Sequence, residues 1–186
     1  VCSAGNAGRD GYGTITSPGN SRKVITVGSM TTWGDNDPNN DIVSTFSSRG
    51  PTRIDRFVKP DLITHGNRVI AAQADRSYLE TNHPERLIKV PGARDADYYQ
   101  LSGTSMAAAV VSGAVALMLE KDPSLTPDTI KARLMRSATK VDFADVFATG
   151  AGLLDIQAAL DETRSADQAP SPRVLRDEVN GKLGFE

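Results

Sequence analysis

The fold of this chain is decided by the stretch Leu101-Ser102-Gly103-Thr104-Ser105-Met106-Ala107-Ala108-Ala109-Val110-Val111-Ser112-Gly113. The residues just before it, from Tyr98, predict a short strand, and the residues from Met106 to Leu119 are apolar almost all round. A helix without a polar face is typical of a domain interior, so we expect a strand followed by a buried helix. Ser105 then lies at the helix N-terminus, where unpaired N–H groups and the helix dipole favour negative charge. This environment suits a nucleophilic alkoxide and the oxyanion of a tetrahedral intermediate.

The same hydroxyl residues also permit a purely structural interpretation. Ser and Thr are preferred at helix N-caps, so Thr104 or Ser105 also fits a simple cap. The whole string, however, resembles the nucleophile motif of the subtilisin-like serine proteases (subtilases), Gly-Thr-Ser-Met-Ala-x-Pro-x-Val-x-Gly. The resemblance implies that Ser105 is the acyl-forming nucleophile. The motif proline is replaced by Ala109, which relaxes the φ constraint near the helix start and leaves room for a slight shift of Ser105.

A second motif lies near the start of the chain, in the segment Ala4-Gly5-Asn6-Ala7-Gly8. From the residues alone it predicts a turn after a strand, because Gly and Asn tolerate positive φ. The segment also resembles the Ala-Gly-Asn oxyanion segment of subtilases. That resemblance implies that the Asn6 amide donates to the developing oxyanion beside the Ser105 N–H. It also implies that the backbone of Ala4 and Gly5 edges the S1 pocket, which holds the residue before the scissile bond.

Further segments resemble subtilases in the same order along the chain. They are Phe46-Ser47-Ser48-Arg49-Gly50-Pro51-Thr52 and Lys59-Pro60-Asp61-Leu62, which in the family shape the core beside the sheet, and Gly150-Ala151-Gly152-Leu153-Leu154-Asp155, which opens a helix. The resemblance implies an α/β class: a partial subtilisin-like fold with a mostly parallel sheet flanked by helices, lacking its N-terminal half. The apolar run at 23–28 predicts a strand of such a sheet, covered on both faces, and the run at 68–72 predicts another short strand.

The domain organisation follows from the same match and from composition. We predict the C-terminal part of a subtilase catalytic domain over residues 1–160, and a linker or C-terminal extension over residues 161–186, where apolar content falls. The polar segment 75–97 is predicted to be a long loop, at the substrate cleft, at a partner contact or simply on the surface. Within the first region, Thr126-Pro127-Asp128 predicts a helix start. The polar face of that helix carries Lys131, Arg133 and Arg136.

The segments that resemble subtilases do not include the family's catalytic histidine base. In subtilases the catalytic Asp and His precede the Asn segment, whereas His65 follows it and lacks the small-residue helix that carries the family's histidine. His83, in a polar stretch, is interpreted as a surface residue. A serine hydroxyl is a weak nucleophile without a base, so the chain alone is expected to be a poor protease or inactive. The alternative is a non-catalytic subtilase-like module for partner binding or assembly.

The expected partners follow from the incomplete sheet and from charge. Missing strands would expose edge N–H and C=O groups, so we expect association with the missing N-terminal half or with a second copy by strand exchange, besides a peptide or protein substrate. The net charge is −2 without a Lys/Arg cluster, which argues against nucleic acid. The apolar run from Met106 to Leu119 is shorter than the roughly 20 residues of a membrane span, so no membrane partner is expected. The family resemblance alone implies a secreted or extracytoplasmic protein.

No cofactor is predicted, although one segment needs comment. Asp35, Asp37 and Asn39 follow the first spacings of a calcium-binding loop. Asn40 stands where such a loop needs Gly, and Phe46 stands where it needs a bidentate Glu. We therefore predict a solvated turn and no metal site, with a structural Ca²⁺ possible but not predicted.

Overall fold

The computed structural model describes residues 1–35, 37–92, 98–176 and 181–186. Its strands are β1 (Cys2–Ser3), β2 (Thr26–Thr31), β3 (Ile42–Val43), β4 (Leu62–His65), β5 (Val69–Ala72), β6 (Leu87–Ile88), β7 (Tyr98–Leu101), β8 (Val174–Arg176) and β9 (Leu183–Phe185). Its α-helices are α1 (Tyr78–Asn82), α2 (Thr104–Lys121), α3 (Pro127–Ser137), α4 (Val146–Thr149) and α5 (Ile156–Asp161). Short 3₁₀ turns cover Gly8–Asp10, Pro38–Asn40 and Pro84–Arg86.

The main sheet is built around β2, a strand in which every residue is buried. β1 and β4 pair with β2 in parallel on its two sides, and β3 pairs with its far end in antiparallel fashion. Parallel strands covered on both faces are typically apolar throughout. The predicted α/β class with a mostly parallel sheet is confirmed, although β2 begins at Thr26 rather than at Lys23.

Helix α2 packs across β1, β2 and β4 and forms the main core with α3 and α5. The buried residues of this core are Ile25, Val27, Leu62, Ala107, Val111, Ala114, Met118, Ile130, Leu134 and Ala159. A smaller cluster includes Met30, Val43, Ile63 and Ala148. The core therefore fixes α2 with its N-terminus at the carboxyl ends of the parallel strands.

The prediction of a buried helix holds for one side of α2 only. Buried residues recur every three or four positions along one stripe, whereas Ala109, Ser112, Gly113 and Leu117 on other sides are exposed, Leu117 at 45%. The sequence lacks a polar face, so periodicity could not show which side meets the sheet. This 18-residue helix is long and apolar enough to cross a membrane, but its buried stripe packs on the sheet as in a core helix.

A buried ionic cluster ties α3 to the sheet. The Lys59 ammonium lies 2.7 Å from Asp61 Oδ2, and the Lys131 ammonium lies 3.2 Å from Asp61 Oδ1, with all three side chains at most 1% exposed. The Ser171 hydroxyl donates to Asp61 Oδ1 at 2.6 Å. Burial lowers the pKa of Lys59 to about 8 even though Asp61 opposes that shift. The assignment of Lys131 to a solvent-exposed face was wrong, because this carboxylate and nearby backbone carbonyls provide partners for a buried ammonium.

The described part of segment 161–186 packs back onto the domain. Arg133 donates to the Thr163 carbonyl, Ser171 enters the ionic cluster, and the Val58 N–H donates to the Pro172 carbonyl. These contacts fit an extension that packs on the domain, while the boundary at residue 160 stays a prediction. The polar segment 75–97 contains α1 and β6 in its described part, and residues 93–97 lie outside the described residues.

Candidate active site

Ser105 is the second residue of α2 and its side chain is exposed. The N–H groups of Met106 and Ala107 both donate to the Gly103 carbonyl. Within the described residues, neither the N–H nor the hydroxyl of Ser105 has a hydrogen-bond partner. A helix N-terminus with a free N–H carries a partial positive charge that favours an anion at this position.

The turn after β1 brings Asn6 to the same helix end. Asn6 Oδ1 accepts a hydrogen bond from the Thr104 backbone N–H at 3.0 Å and another from the Thr104 hydroxyl at 3.0 Å. These two hydrogen bonds use the amide oxygen of Asn6. The NH₂ group of Asn6 remains available as a donor, because no described residue accepts a hydrogen bond from it. The structure thus brings Asn6 and the residue preceding Ser105 into direct contact.

Thr104 joins the two segments, a role that the sequence interpretation missed. Its hydroxyl is buried and also lies 3.2 Å from both the N–H and the carbonyl oxygen of Gly5. The N-cap is Gly103, which makes no side-chain cap, so the interpretation of Thr104 or Ser105 as a simple cap is wrong. The Gly-Thr-Ser motif contains the signal, but only the fold shows that Thr104 faces a segment about a hundred positions away in sequence.

The predicted turn geometry is fixed by the Phe46–Ser48 segment. The Ser48 N–H donates to the Gly5 carbonyl at 3.0 Å, and the Ser48 hydroxyl accepts from the Ala7 N–H at 3.1 Å. Gly5 has φ +107°, and a Cβ there would lie 2.7 Å from Thr16 Oγ1, so a side chain is excluded at this position. The turn that carries Asn6 is therefore held from two sides.

Ala4 and Gly5 lie at the end of β1, directly before Asn6. Ala4 is fully buried, and its backbone N–H and carbonyl are engaged with Val27 and Thr16. Gly5 is half-buried beside Thr104. Their assignment to the edge of the S1 pocket stays a prediction, although both lie next to the Asn6 turn.

Chemically, a free backbone N–H and a side-chain amide beside an exposed hydroxyl form an arrangement suited to acyl transfer. The Subtilase family model matches residues 1–153 of this chain. The chain belongs to the subtilase family. This is a family of serine proteases, which agrees with the resemblance inferred from the motifs.

Individual subtilases agree with this assignment. Serine protease AprX of Bacillus subtilis is 37% identical over 158 residues, which cover 84% of this chain and 34% of AprX. The crystal structure of fervidolysin from Fervidobacterium pennivorans, described as a keratinolytic enzyme related to subtilisin, matches with a TM-score of 0.67 and 26% identity over 98% of this chain and 28% of that chain. The CspB protease of Clostridium perfringens matches with a TM-score of 0.59 and 28% identity over 82% of this chain and 30% of its own. The chain thus spans about a third of the length of these subtilases.

A subtilase nucleophile needs a histidine base, and this chain has two histidines. His65 ends β4, and its Nδ1 lies 3.3 Å from Thr32 Oγ1. His83 lies 3.4 Å from Glu85 and is about half exposed, as a surface residue should be. No hydrogen bond joins either ring to Ser105 among the described residues, so His65 as a base gains no support.

Ala109, which replaces the motif proline of subtilases, is exposed on α2, and the helix runs unbroken through it.

The acidic segment near Asp35 forms a hydrogen-bonded turn. The Asp35 carboxylate accepts from the Asp37 N–H, and the Asp37 carboxylate accepts from the Asn39 N–H. In the part of the chain that the structure describes, no group of three or more His, Cys, Asp or Glu side chains is placed to hold a metal.

Replacing Thr104 by Val removes the hydroxyl while keeping the shape of the side chain. We expect the free energy of unfolding, measured by urea denaturation, to fall by about 0.5–1.5 kcal/mol, because the buried Thr104 hydroxyl loses its hydrogen bonds to Gly5 and Asn6. Thr104→Ser keeps the hydroxyl and serves as the matched control, with a smaller loss. A larger loss in Thr104→Ser than in Thr104→Val would show that the methyl group, not the hydroxyl, stabilises this junction.

Proposed function

We propose that this chain forms the nucleophile-bearing half of a subtilisin-like serine endopeptidase, which hydrolyses peptide bonds through an acyl-enzyme. The observation that carries the proposal is the free Ser105 N–H at the end of α2, with Asn6 held beside it by Thr104. Two donors at one helix end can stabilise the charge that develops on a carbonyl oxygen, and such stabilisation commonly contributes more than any other effect to acyl-transfer catalysis.

The chemical steps assign one role to each residue. The Ser105 hydroxyl attacks the peptide carbonyl carbon and gives its proton to a histidine base. The carbonyl oxygen becomes an oxyanion that accepts hydrogen bonds from the Ser105 N–H and the Asn6 amide. Collapse breaks the C–N bond, the leaving amine takes the proton, and water then hydrolyses the ester on Ser105. The backbone of Ala4 and Gly5 is proposed to edge the pocket for the residue before the broken bond.

The base and its orienting Asp are proposed to come from the remaining half of the catalytic domain. The exposed, largely apolar side of α2 supports this, because contiguous apolar surface of this kind commonly marks an interface. A second copy of this chain, joined by strand exchange, is the other candidate to cover this apolar side of α2. Without such a partner the isolated chain is proposed to be inactive. By family membership, the complete protein is proposed to act on peptides or proteins in a secreted or extracytoplasmic location.

Labelling with a fluorophosphonate tests this proposal. The serine oxygen displaces fluoride from phosphorus and forms a stable phosphonyl ester, which mass spectrometry locates to a residue. We expect Ser105 to be labelled when this chain is combined with the remaining half of its catalytic domain, and labelling of the chain alone to be at least 10²-fold slower, since general-base assistance typically contributes 10²–10⁴-fold.

The matched control is Ser112→Ala, which removes another exposed hydroxyl of α2 and should leave labelling unchanged. Ser105→Ala should abolish it. Persistent labelling of the Ser105→Ala protein would remove Ser105 as nucleophile. A folded complete protein that never labels would favour the non-catalytic module.

A further inference from the structure

A pocket of about 290 Å³ lies at the carboxyl ends of β2 and β4, outside the proposed catalytic groups. Its walls include the indole of Trp33, 61% exposed, and the side chain of Ile70, 52% exposed. His65, Asn67, Arg68 and Gln100 complete the part of the lining that matters here. Exposed large apolar side chains around a concavity are the usual composition of a ligand site.

The pocket is connected to the N-terminus of α2 by backbone hydrogen bonds. The Gly103 N–H donates to the Gly66 carbonyl at 2.8 Å, and the Arg68 N–H donates to the Ser102 hydroxyl at 2.9 Å. Residues 66–68, which lead into the pocket, are thus hydrogen-bonded to the residues directly before Ser105. The pocket therefore lies close to the residues that precede Ser105.

The order of the strands indicates on which side of the proposed scissile bond the pocket lies. Asn6 follows β1 on one side of β2, whereas the pocket residues His65 to Arg68 follow β4 on the other side. The residue before the scissile bond is proposed to lie at the β1 side, next to Ala4 and Gly5. The pocket therefore lies on the side of the leaving group.

Three polar groups of the pocket are engaged with the protein itself. His65 Nδ1 lies 3.3 Å from Thr32 Oγ1, and Asn67 Nδ2 donates to Thr31 Oγ1 at 3.1 Å. The Trp33 indole N–H donates to the Asn40 carbonyl at 3.0 Å, which fixes the ring. What remains for a ligand is the apolar surface of Trp33 and Ile70, together with the side chains of Arg68 and Gln100 at the pocket wall.

The backbone of the pocket walls is also strained. Trp33 has φ +54° and Arg68 has φ +55°, a left-handed conformation that is unfavourable for side chains of this size. Such strain costs on the order of 1–3 kcal/mol per residue and concentrates at ligand-binding sites. Its presence at two residues of one pocket is a second feature that points to binding.

We propose that this pocket binds a large apolar or aromatic side chain of the substrate on the leaving-group side of the scissile bond. That the bound side chain belongs to a substrate rests on the proposed protease function, whereas the binding itself does not require catalysis. A flat aromatic ring offers the best match, because it can stack on or meet the edge of the Trp33 indole while covering Ile70.

Trp33 is the single tryptophan of the chain, so its fluorescence reports directly on the pocket. The probes are amidated pentaalanine peptides that carry one Phe at the second, third or fourth position, with Asp peptides and pentaalanine amide for comparison. We expect at least one Phe peptide to shift the Trp33 emission to shorter wavelength and to bind about tenfold more tightly than its Asp counterpart, the order expected for filling an apolar pocket.

The variant Ile70→Thr should weaken binding of that Phe peptide about tenfold. Its matched control is Ile54→Thr, since Ile54 is also exposed, at 89%, but lies outside this pocket, and binding should be unchanged. Circular dichroism establishes that each variant is folded. Tighter binding of an Asp peptide that is lost in Arg68→Ala would overturn the proposal in favour of an anion site, and equal affinity of all peptides would overturn it as well.

The same titration separates this proposal from the catalytic one. Ser105→Ala should bind the Phe peptide as the unmodified chain does, because the hydroxyl is outside the pocket. Loss of the Ser105 assignment in the labelling experiment would leave the measured affinity intact. Absence of any fluorescence change would overturn the pocket proposal while Ser105 labelling remained unaffected.

Discussion

Asn6→Asp is expected to lower kcat by about 10²–10³-fold, the magnitude known for removing one oxyanion-hole donor in a subtilisin. The substitution keeps an acceptor oxygen for the Thr104 N–H and hydroxyl, so the junction with α2 is retained. It replaces the NH₂ donor by a carboxylate oxygen that repels a developing oxyanion. Because this charge exists only in the transition state, KM should change much less than kcat.

The measurement is steady-state hydrolysis of a peptide amide by the complete protease. Asn82→Asp makes the same chemical change at an exposed position on α1 and should leave kcat within twofold. An increase in KM with kcat unchanged would place Asn6 in ground-state binding, contrary to the proposal.

The second large effect is expected on stability. Asp61→Asn removes the carboxylate that lies between the Lys59 and Lys131 ammonium groups, all of them buried. Breaking a buried ion pair by removing one partner typically costs about 3–5 kcal/mol, because the remaining charge is left uncompensated. We expect a loss of this size in the free energy of unfolding at pH 7, measured by urea denaturation.

The pH dependence of this loss identifies its cause. Burial lowers the pKa of Lys59 in the folded chain to about 8, below its ordinary value, so the unfolded chain binds more protons above that pH. Asp61 raises the pKa of Lys59, so in folded Asp61→Asn the Lys59 ammonium loses its proton at a lower pH than in the unmodified protein. The difference in stability between the two proteins should therefore shrink as pH rises towards 8 and stay constant above it, where Lys59 is neutral in both folded proteins. Asp55→Asn, an exposed control, should change stability by less than about 0.5 kcal/mol at any of these pH values. A loss that did not depend on pH would point to packing rather than charge.

Local signals were sufficient for several elements. The residues around Tyr98 predicted β7, and Thr126-Pro127 predicted the start of α3, where the Thr126 hydroxyl accepts from the Thr129 N–H as an N-cap. The Gly-Asn turn after β1 was predicted because only a few residue types accept positive φ. These features depend on interactions between residues that are close in sequence, so they can be predicted from the sequence alone.

Burial was the property that the sequence misjudged. Lys131 was assigned to a polar face, which was wrong, and the helix α2 that was predicted to be buried is buried on one side only. A lysine is buried only where the fold brings a carboxylate to it, and here Asp61 lies seventy positions earlier. An apolar helix is covered only on the sides where other elements pack, and the order of residues does not say which sides those are.

By itself, the sequence determined the family, the α/β class, the short strand before α2 and the motifs that contain Ser105 and Asn6. The tertiary structure alone decided that Thr104 holds Asn6, that Lys59, Asp61 and Lys131 share one buried site, and that Trp33 and Ile70 face one pocket. The physical reason is range. Turn and capping preferences act over a few residues, whereas hydrogen bonds between distant segments and the desolvation of charges depend on which segments the sheet and α2 bring together.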